Sequence, residues 1–224
     1  MKPLLLVFAW VLLLTGPAGA STINLVTDFP DHQGDNGLYA KAYNFSTNTY
    51  RNLDEHPSPD PGSGYPANYF QYSFYTPTTS NNNPFLQLGY VDYHDVVAAF
   101  PSNTEDAVMA WQAPGPGTAT ITVTFDPLYN GYTNVYIKQN DTLLKGTGFA
   151  PQEIFHPTPV TFNLTNVKLA AGDFLYFGIN WAGDYEGDLI LLSGTIEVVP
   201  LPGALWLLGS GLLGLVGWSR FGKS

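Results

Sequence analysis

The hydrophobic pattern divides the chain into three parts. Long apolar runs lie near both ends, at 4–14 and about 203–218, whereas the segment between them changes between apolar and polar residues over short stretches. No stretch of about 12 residues inside 21–197 shows the period of an amphipathic helix. Short alternating runs separated by Gly and Pro are typical of antiparallel strands and turns. The pattern therefore predicts an all-β domain between two apolar end segments.

The alternation is clearest in the second half of the domain. Thr118–Phe125 places threonine on one face and Ala, Ile, Val and Phe on the other, as a half-buried strand requires. Two apolar runs flank Asn140-Asp141, which predicts a hairpin with a two-residue turn. The remaining strands predicted here are 107–112, 134–139, 142–145, 160–169, 174–181 and 189–198.

The first half contains more turn-forming residues and fewer strands. Strands are predicted at 22–26, 38–45, 69–76, 85–88 and 96–100, and polar loops rich in Pro and Gly at 51–68 and 77–84. Short strands spaced by turns predict an antiparallel β-sandwich, with a jelly roll as the expected topology. The 177 residues of 21–197 are enough for one such domain.

The N-terminal end has the layout of a signal peptide. Lys2 supplies the positive start, Leu4–Leu14 the apolar core, and Ala18 and Ala20 the small residues before cleavage at Ser21. An uncleaved membrane anchor is the alternative, but the apolar core is short. We expect residues 1–20 to be removed on export.

The C-terminal end has the layout of a membrane stop. The motif Val199-Pro200-Leu201-Pro202 comes first, then an apolar helix at about 203–219, then the basic residues Arg220 and Lys223. An apolar run followed by positive charge stops in a membrane with its basic end in the cytoplasm. The apolar run gives roughly 24 Å of helix, which barely spans a bilayer core of about 30 Å.

The order of proline motif, Gly/Leu-rich helix and basic end, in VPLPGALWLLGSGLLGLVGWSRFGKS, resembles the PEP-CTERM sorting signal. Leu201 stands where the common tetrad has Glu, which matches a known VPLP variant. The resemblance implies processing near residues 199–202 by an exosortase-type transpeptidase. It also implies a Gram-negative bacterium that makes extracellular polysaccharide, with the protein tethered at the inner membrane before it reaches the cell surface or the extracellular matrix. A plain tail anchor is the alternative.

A second resemblance concerns the domain. The patterns W-x-A-P-x-x-G-T-x-x-I, V-x-I-x-x-N-x-x-L, L-x-A-G-D-x-L-x-F and L-x-x-T-I look like those of jelly-roll domains in exported bacterial proteins, including carbohydrate-binding-like modules. They lie at 111–121, 135–143, 169–177 and 192–196. This resemblance implies an architecture and says little about a ligand.

Charge and cysteine content exclude several classes of function. All eighteen acidic residues and five of the eight basic ones lie in 21–197, so the domain carries a net charge of −13. Such a surface repels nucleic acid, whose binding depends on Lys and Arg contacts to phosphate. The absence of cysteine excludes disulfides, a cysteine nucleophile and a thiolate zinc site.

Aromatic loop residues are the best candidates for a binding site. Sugar rings stack on aromatic faces, and Trp181 and Tyr185 lie in or beside the loop 182–188. They predict a carbohydrate-binding surface, for which extracellular polysaccharide is the expected partner. Other aromatic residues in or beside loops are Tyr65, Tyr69, Tyr129 and Tyr132. Trp111 is expected in the core.

Carboxylates clustered in loops suggest structural calcium as the one possible cofactor. Asp184, Glu186 and Asp188 alternate in one loop, and a second acidic loop spans 28–35. Calcium prefers six to eight oxygen ligands, but neither loop completes an EF-hand pattern. Ordinary solvated turn carboxylates are the simpler interpretation.

No spacing of residues indicates a catalytic constellation. The sequence has no G-x-S-x-G motif, and eighteen acidic residues place some pair at glycosidase distance by chance. The expected function is therefore a non-enzymatic, exported surface or matrix protein sorted through its C-terminal signal. The alternative is a carbohydrate-binding module, and a glycan hydrolase is the third possibility.

Overall fold

The computed structural model describes most of the domain between the two apolar ends. It describes residues 19–57, 72–75, 84–90, 93–102, 104–128, 132–146, 152–155, 158–181 and 189–201. The predicted signal-peptide core and the predicted membrane helix lie outside these ranges. Within them, no helix has the length and hydrophobicity needed to cross a membrane.

The described residues form fifteen strands and one short 3-10 turn, Asp35–Gly37. The strands are β1 (Ser21–Asn24), β2 (Leu38–Asn44), β3 (Thr49–Asn52), β4 (Asp54–Pro57), β5 (Tyr72–Tyr75), β6 (Phe85–Tyr90), β7 (Tyr93–Phe100), β8 (Glu105–Gln112), β9 (Gly117–Pro127), β10 (Tyr132–Gln139), β11 (Thr142–Lys145), β12 (Gln152–Phe155), β13 (Val160–Leu169), β14 (Phe174–Trp181) and β15 (Ile190–Pro200).

These strands form two antiparallel sheets. The first has the order β13-β9-β15-β7-β6-β5-β4, with β1 also paired to β15, and the second has the order β11-β10-β14-β8-β2-β3, with β12 also paired to β10. One buried apolar cluster contains residues from both sheets, so the sheets pack face to face as a β-sandwich. The prediction of an all-β, two-sheet domain is confirmed.

Alternation along the strands builds the core. β9 alternates strictly between buried and half-buried residues, and its Ala, Ile, Val and Phe point inward as predicted. On β14, Leu175 and Phe177 face the core, whereas Phe174 and Tyr176 belong to a separate cluster on the outer face. Trp111 is 2 % exposed at the centre of the core. The inner faces therefore leave the outer faces of both sheets free to carry function.

Several predicted elements agree closely with the structure. β13 and β14 have the predicted bounds. β10 and β11 form the predicted hairpin, in which Asn140 has a φ of 50°. Asn tolerates this left-handed conformation better than most residues, and the Asn140 side chain is held by the start of β14, where its Oδ1 accepts from the Phe174 N–H.

The prediction of one long loop at 51–68 is wrong at its start. β3 covers Thr49–Asn52 and β4 follows at Asp54–Pro57. The sequence predicted a loop here because these residues are polar. In the structure, pairing with β2 satisfies the backbone of β3, and Leu53, between the two strands, is buried. The short strand β12 was also missed.

The last strand extends into the proline motif. Val199 pairs with Thr118 and Pro200 with Gly117, and the Leu201 N–H donates to the Pro116 carbonyl. Gly117 allows this close approach, since a Cβ there would lie 2.8 Å from the Val199 carbonyl oxygen. β15 thus runs three residues past 197, where the sequence analysis placed the end of the domain.

Candidate functional site: an aromatic cleft on the second sheet

The outer face of the second sheet carries a cleft of about 660 Å³. Its walls are two hairpins, β2–β3 and β10–β11, which lie at opposite edges of the sheet, and its floor belongs to β8 and β14. The lining residues are Tyr43, Phe45, Asn48, Tyr50, Asp106, Tyr136, Lys138, Asp141, Leu143 and Asn180. We refer to this set as the cleft.

A layer of aromatic rings forms one side of the cleft. At Val108 and Ala110, β8 presents small side chains to this face, and rings from neighbouring strands pack over them. Tyr50 of β3 stacks on Tyr176 of β14, with 4.0 Å between ring centroids and 8° between ring planes. Tyr43 packs against Tyr50 at 4.6 Å. Because each ring packs against another, the aromatic wall is held in place before any ligand arrives.

A glycine shapes the floor. Tyr136 lies directly over Gly178, its cross-strand partner, and a Cβ at this position would overlap the ring carbon Cζ. The missing side chain lets the Tyr136 ring lie across β14 and donate its hydroxyl proton to Asp106 Oδ2 of β8, at 2.8 Å. Gly178 is therefore required for a hydrogen bond that joins strands on either side of it.

Asp106 is the buried acid at the centre of the floor. It is 3 % exposed, and besides the bond from Tyr136 it accepts a hydrogen bond of 2.6 Å from Asn180 Nδ2. Burial raises the pKa of Asp106 to about 6, although both hydrogen bonds and the charge of Lys138 favour the ionised form. Both carboxylate oxygens are therefore committed to the protein itself.

Lys138 supplies the positive charge of the cleft. Its Nζ lies 4.5 Å from the centroid of the Tyr43 ring and 4.8 Å from that of Tyr136. A cation over aromatic faces is attracted by their negative face charge. Burial lowers the pKa of Lys138, whereas the carboxylates of Asp106 and Asp141 act in the opposite direction.

Two tyrosine hydroxyls in the aromatic wall differ in their hydrogen bonding. The Tyr43 hydroxyl donates to Asn48 Oδ1 at 2.9 Å, across the β2–β3 turn. The Tyr50 hydroxyl is buried and has no hydrogen-bond partner, and burial raises the pKa of Tyr50 far above its usual value. Tyr50 therefore contributes to the wall through the packing of its ring, whereas the burial of its hydroxyl without a hydrogen bond lowers the stability of the fold.

The composition of the cleft suits an amphipathic ligand. Rings supply broad apolar contact area, while Asn48, Lys138 and Asp141 place polar groups around them. The described residues contain no group of three His, Asp or Glu side chains that could hold a metal ion. In the acidic loop 28–35, Asp28 accepts from the Asn24 N–H and Asp35 from the His32 N–H, as turn carboxylates do.

The residues predicted for carbohydrate and calcium lie largely outside the described ranges. This holds for Tyr185 and for all three predicted calcium ligands, Asp184, Glu186 and Asp188. Trp181 ends β14, where its backbone pairs with Thr133. Ala18, Pro202, Arg220 and Lys223 also lie outside the described ranges. Ala20 and Ser21 are exposed at the start of the described chain.

The sequence analysis did not predict the cleft residues, because it took aromatic residues in or beside loops as the binding candidates. The signal was present in the strands: β2 places Tyr39, Lys41 and Tyr43 on one face, and β10 places Tyr136 and Lys138 on one face. Tyrosine and lysine alternating with apolar residues mark an outer face that is aromatic and polar. That these two faces belong to one sheet becomes visible only in the fold.

Comparisons with known proteins leave the family open. No family model and no curated protein matches the chain. Among solved structures, a family 35 carbohydrate-binding module of Clostridium thermocellum is 11 % identical with a TM-score of 0.32, and covers 55 % of this chain and 86 % of its own.

Two further structures are similar to the same degree. The CBM36-1 domain of a multidomain xylanase from the hindgut metagenome of Trinervitermes trinervoides is 12 % identical with a TM-score of 0.33, covering 70 % of this chain and 95 % of its own. The K3 adhesin domain of Lys-gingipain from Porphyromonas gingivalis is 14 % identical with a TM-score of 0.35, covering 80 % and 99 %. Likenesses this distant carry no argument about function, which depends on the cleft itself.

Proposed function

We propose that this chain is an exported, non-catalytic protein whose β-sandwich domain binds carbohydrate in the cleft, with extracellular polysaccharide as its partner. The observation that carries the proposal is a cleft of about 660 Å³ in which the packed rings of Tyr43 and Tyr50 lie beside Lys138 and Asp141. A sugar ring needs apolar contact area and polar groups at its edge, and the lining residues supply both.

A binding role fits the cleft better than catalysis does. Glycoside hydrolysis needs two carboxyl groups free to flank the scissile bond. Asp106 and Asp141 are the carboxylates among the described lining residues, and both oxygens of Asp106 already accept hydrogen bonds from Tyr136 and Asn180. Asp106 therefore organises the floor, and a hydrolase would need a second available acid.

The test is affinity for neutral oligosaccharides with the full chain kept in mild detergent, because both of its ends are apolar. We expect Tyr43→Ala to weaken binding about tenfold, since the Tyr43 ring is part of the wall and also lies under Lys138. The control is Thr120→Ala on the opposite sheet, which should bind like the unaltered chain. Equal affinities for all three proteins would contradict the proposal, and product release from the glycan would favour the hydrolase.

Export and sorting are the second part of the proposal. The signal-peptide pattern would direct the chain across the inner membrane, and the motif Val199–Pro202 would be handled by an exosortase-type transpeptidase before delivery to the surface or matrix. The motif starts on β15, so the enzyme would meet Val199 and Pro200 already extended and paired with β9. Mass spectrometry of the native protein should show a start at Ser21 and an end near Pro202. A chain intact to Ser224 would contradict the sorting proposal.

A further inference from the structure

The cleft is unusual in carrying both signs of charge against its aromatic wall. Lys138 stands on β10 over the rings of Tyr43 and Tyr136, and Asp141 follows on the turn between β10 and β11. Asp106 lies in the floor beneath them. A charged group on a ligand would therefore be repelled by one of these groups as well as attracted by another, and the attractive partners already contact the protein: Lys138 the two rings, and Asp106 the hydrogen-bond donors of Tyr136 and Asn180.

The size of the cleft allows more than one sugar unit. The lining residues come from the two hairpin walls and from the floor strands β8 and β14 between them. The volume of about 660 Å³ lies within the range of about 300–1,000 Å³ that is usual for ligand sites. A short run of linked sugars is therefore a ligand of suitable size.

We propose that the cleft binds an internal stretch of an uncharged glycan chain, with Lys138 excluding cationic sugars and Asp106 together with Asp141 excluding acidic ones. This inference rests on the proposed carbohydrate-binding function and adds the ligand class and the residues that select it. The net charge of −13 on the domain acts in the same direction against acidic chains, whereas the exclusion of cationic ones depends on Lys138 alone.

Lysine at position 138 has a second effect on selection. Its ammonium occupies the position over the Tyr43 and Tyr136 rings that a cationic ligand group would otherwise take. Removing the charge leaves an aromatic site bordered by two carboxylates, which is the chemistry that attracts cations. Lys138→Met should therefore convert the cleft from neutral to cationic preference while keeping the aliphatic part of the side chain.

A matched control exists on the same sheet face. Lys41 lies 5.0 Å from the Tyr39 ring and 5.3 Å from the Phe174 ring, in the same kind of contact, but it is not one of the described lining residues. Lys41→Met removes the same charge from the same surface without altering the cleft.

The experiment measures binding of three glycan series to the full chain by calorimetry, at low and at high salt. The series are neutral glucose oligomers, cationic glucosamine oligomers and acidic galacturonic acid oligomers, each from one to six units. We expect the neutral series to gain affinity up to three or four units, and each charged series to bind at least about tenfold more weakly. Lys138→Met should gain about tenfold for glucosamine oligomers, a gain lost at high salt, and Lys41→Met should gain nothing.

Three results would overturn the inference and leave the proposed carbohydrate binding in place. One is a monomer that binds as tightly as a hexamer, and another is neutral binding whose charge selectivity does not change in Lys138→Met. The third is tighter binding of the acidic series. If none of the three series binds, the proposed carbohydrate-binding function fails together with the inference.

Discussion

In both sheets of the sandwich, inward-facing and outward-facing residues alternate along the strands, but the two outer faces differ in chemistry. The face of the first sheet carries a row of half-buried threonines on β9, Thr118, Thr120, Thr122 and Thr124, which pair with residues of β13 and β15. Their hydroxyls form hydrogen bonds with side chains of β13, as Thr124 does with Thr161 at 2.8 Å. The face of the second sheet carries stacked rings around a buried acid.

The contrast shows how side-chain size decides whether a sheet face can form a site. Uniform, short side chains give the threonine row nothing to enclose a ligand. On the second sheet Gly178, Val108 and Ala110 have small side chains or none, and aromatic rings from strands on both sides pack over them. This difference in side-chain size between neighbouring strands creates the cleft. Substitutions of the small residues should therefore change stability and binding more than substitutions of the threonines.

The largest expected effect is that of Gly178→Ala. The new Cβ would overlap the Tyr136 ring, which is 3 % exposed and cannot move without leaving Asp106. We expect a loss of about 3 kcal/mol in the free energy of unfolding, measured by urea denaturation, together with loss of glycan binding.

The matched control for Gly178→Ala is Gly115→Ala, at a turn where an added Cβ would have no neighbour within 4 Å. It should change the free energy of unfolding by less than about 0.5 kcal/mol. Equal effects of the two substitutions would mean that the Tyr136 ring does not depend on Gly178.

The next effect is a pH dependence. Burial raises the pKa of Asp106 to about 6 from 3.8, so proton uptake favours the folded state. This stabilisation is complete below about pH 4 and is lost as the pH rises through 6, and it amounts to roughly 2–3 kcal/mol. Asp106→Asn should lack this loss, since its Oδ1 can still accept from Asn180 while its Nδ2 donates to the Tyr136 hydroxyl oxygen, which reverses that bond. Thermal or urea unfolding from pH 4 to 7 would show the difference.

Asp173 provides the opposite case for comparison. The Ala170 N–H, Asn140 and Gln139 donate to its carboxylate and lower the pKa of Asp173. Its contribution to stability is therefore present above about pH 4 and is lost at lower pH. The quantity compared is the difference in the free energy of unfolding between the unaltered chain and Asp106→Asn. If this difference is constant from pH 4 to 7, or has the pH dependence found for Asp173→Asn, the account of the cleft floor is contradicted.

A smaller effect is expected at Tyr50. Its ring is stacked between Tyr43 and Tyr176, but its buried hydroxyl has no partner. Tyr50→Phe should raise the free energy of unfolding by up to about 1 kcal/mol and leave glycan affinity unchanged, because the stacked ring remains. A clear loss of affinity in calorimetry would show instead that the hydroxyl takes part in binding.

The smallest effect is expected on the threonine row. Thr124→Val removes one hydroxyl of the exposed pair with Thr161 and keeps the β-branched shape. The free energy of unfolding should change by less than about 0.5 kcal/mol, and glycan affinity should not change. A strong effect on binding would move the site to this face.

The sequence predicted the threonine row more readily than the cleft. Alternation in TATITVTF is local and predicts both faces of β9, and the outer position of Phe174 and Tyr176 follows from the same rule. The cleft needs six strands brought together in an order that the pattern does not contain. Gly178 appears in the sequence only as a glycine within FGINW, and Tyr50 borders a segment whose polar residues predicted a loop.

Mapping the ligand on the protein tests the central claim most directly. Backbone amide chemical shifts would be followed by NMR while a neutral glucose hexamer is added to the full chain in detergent. Binding in the cleft predicts shifts at Tyr43, Asp106, Tyr136 and Asn180, and none along the threonine row of β9. Shifts confined to that row, with the four cleft amides unchanged, would contradict the assignment of the cleft as the carbohydrate site.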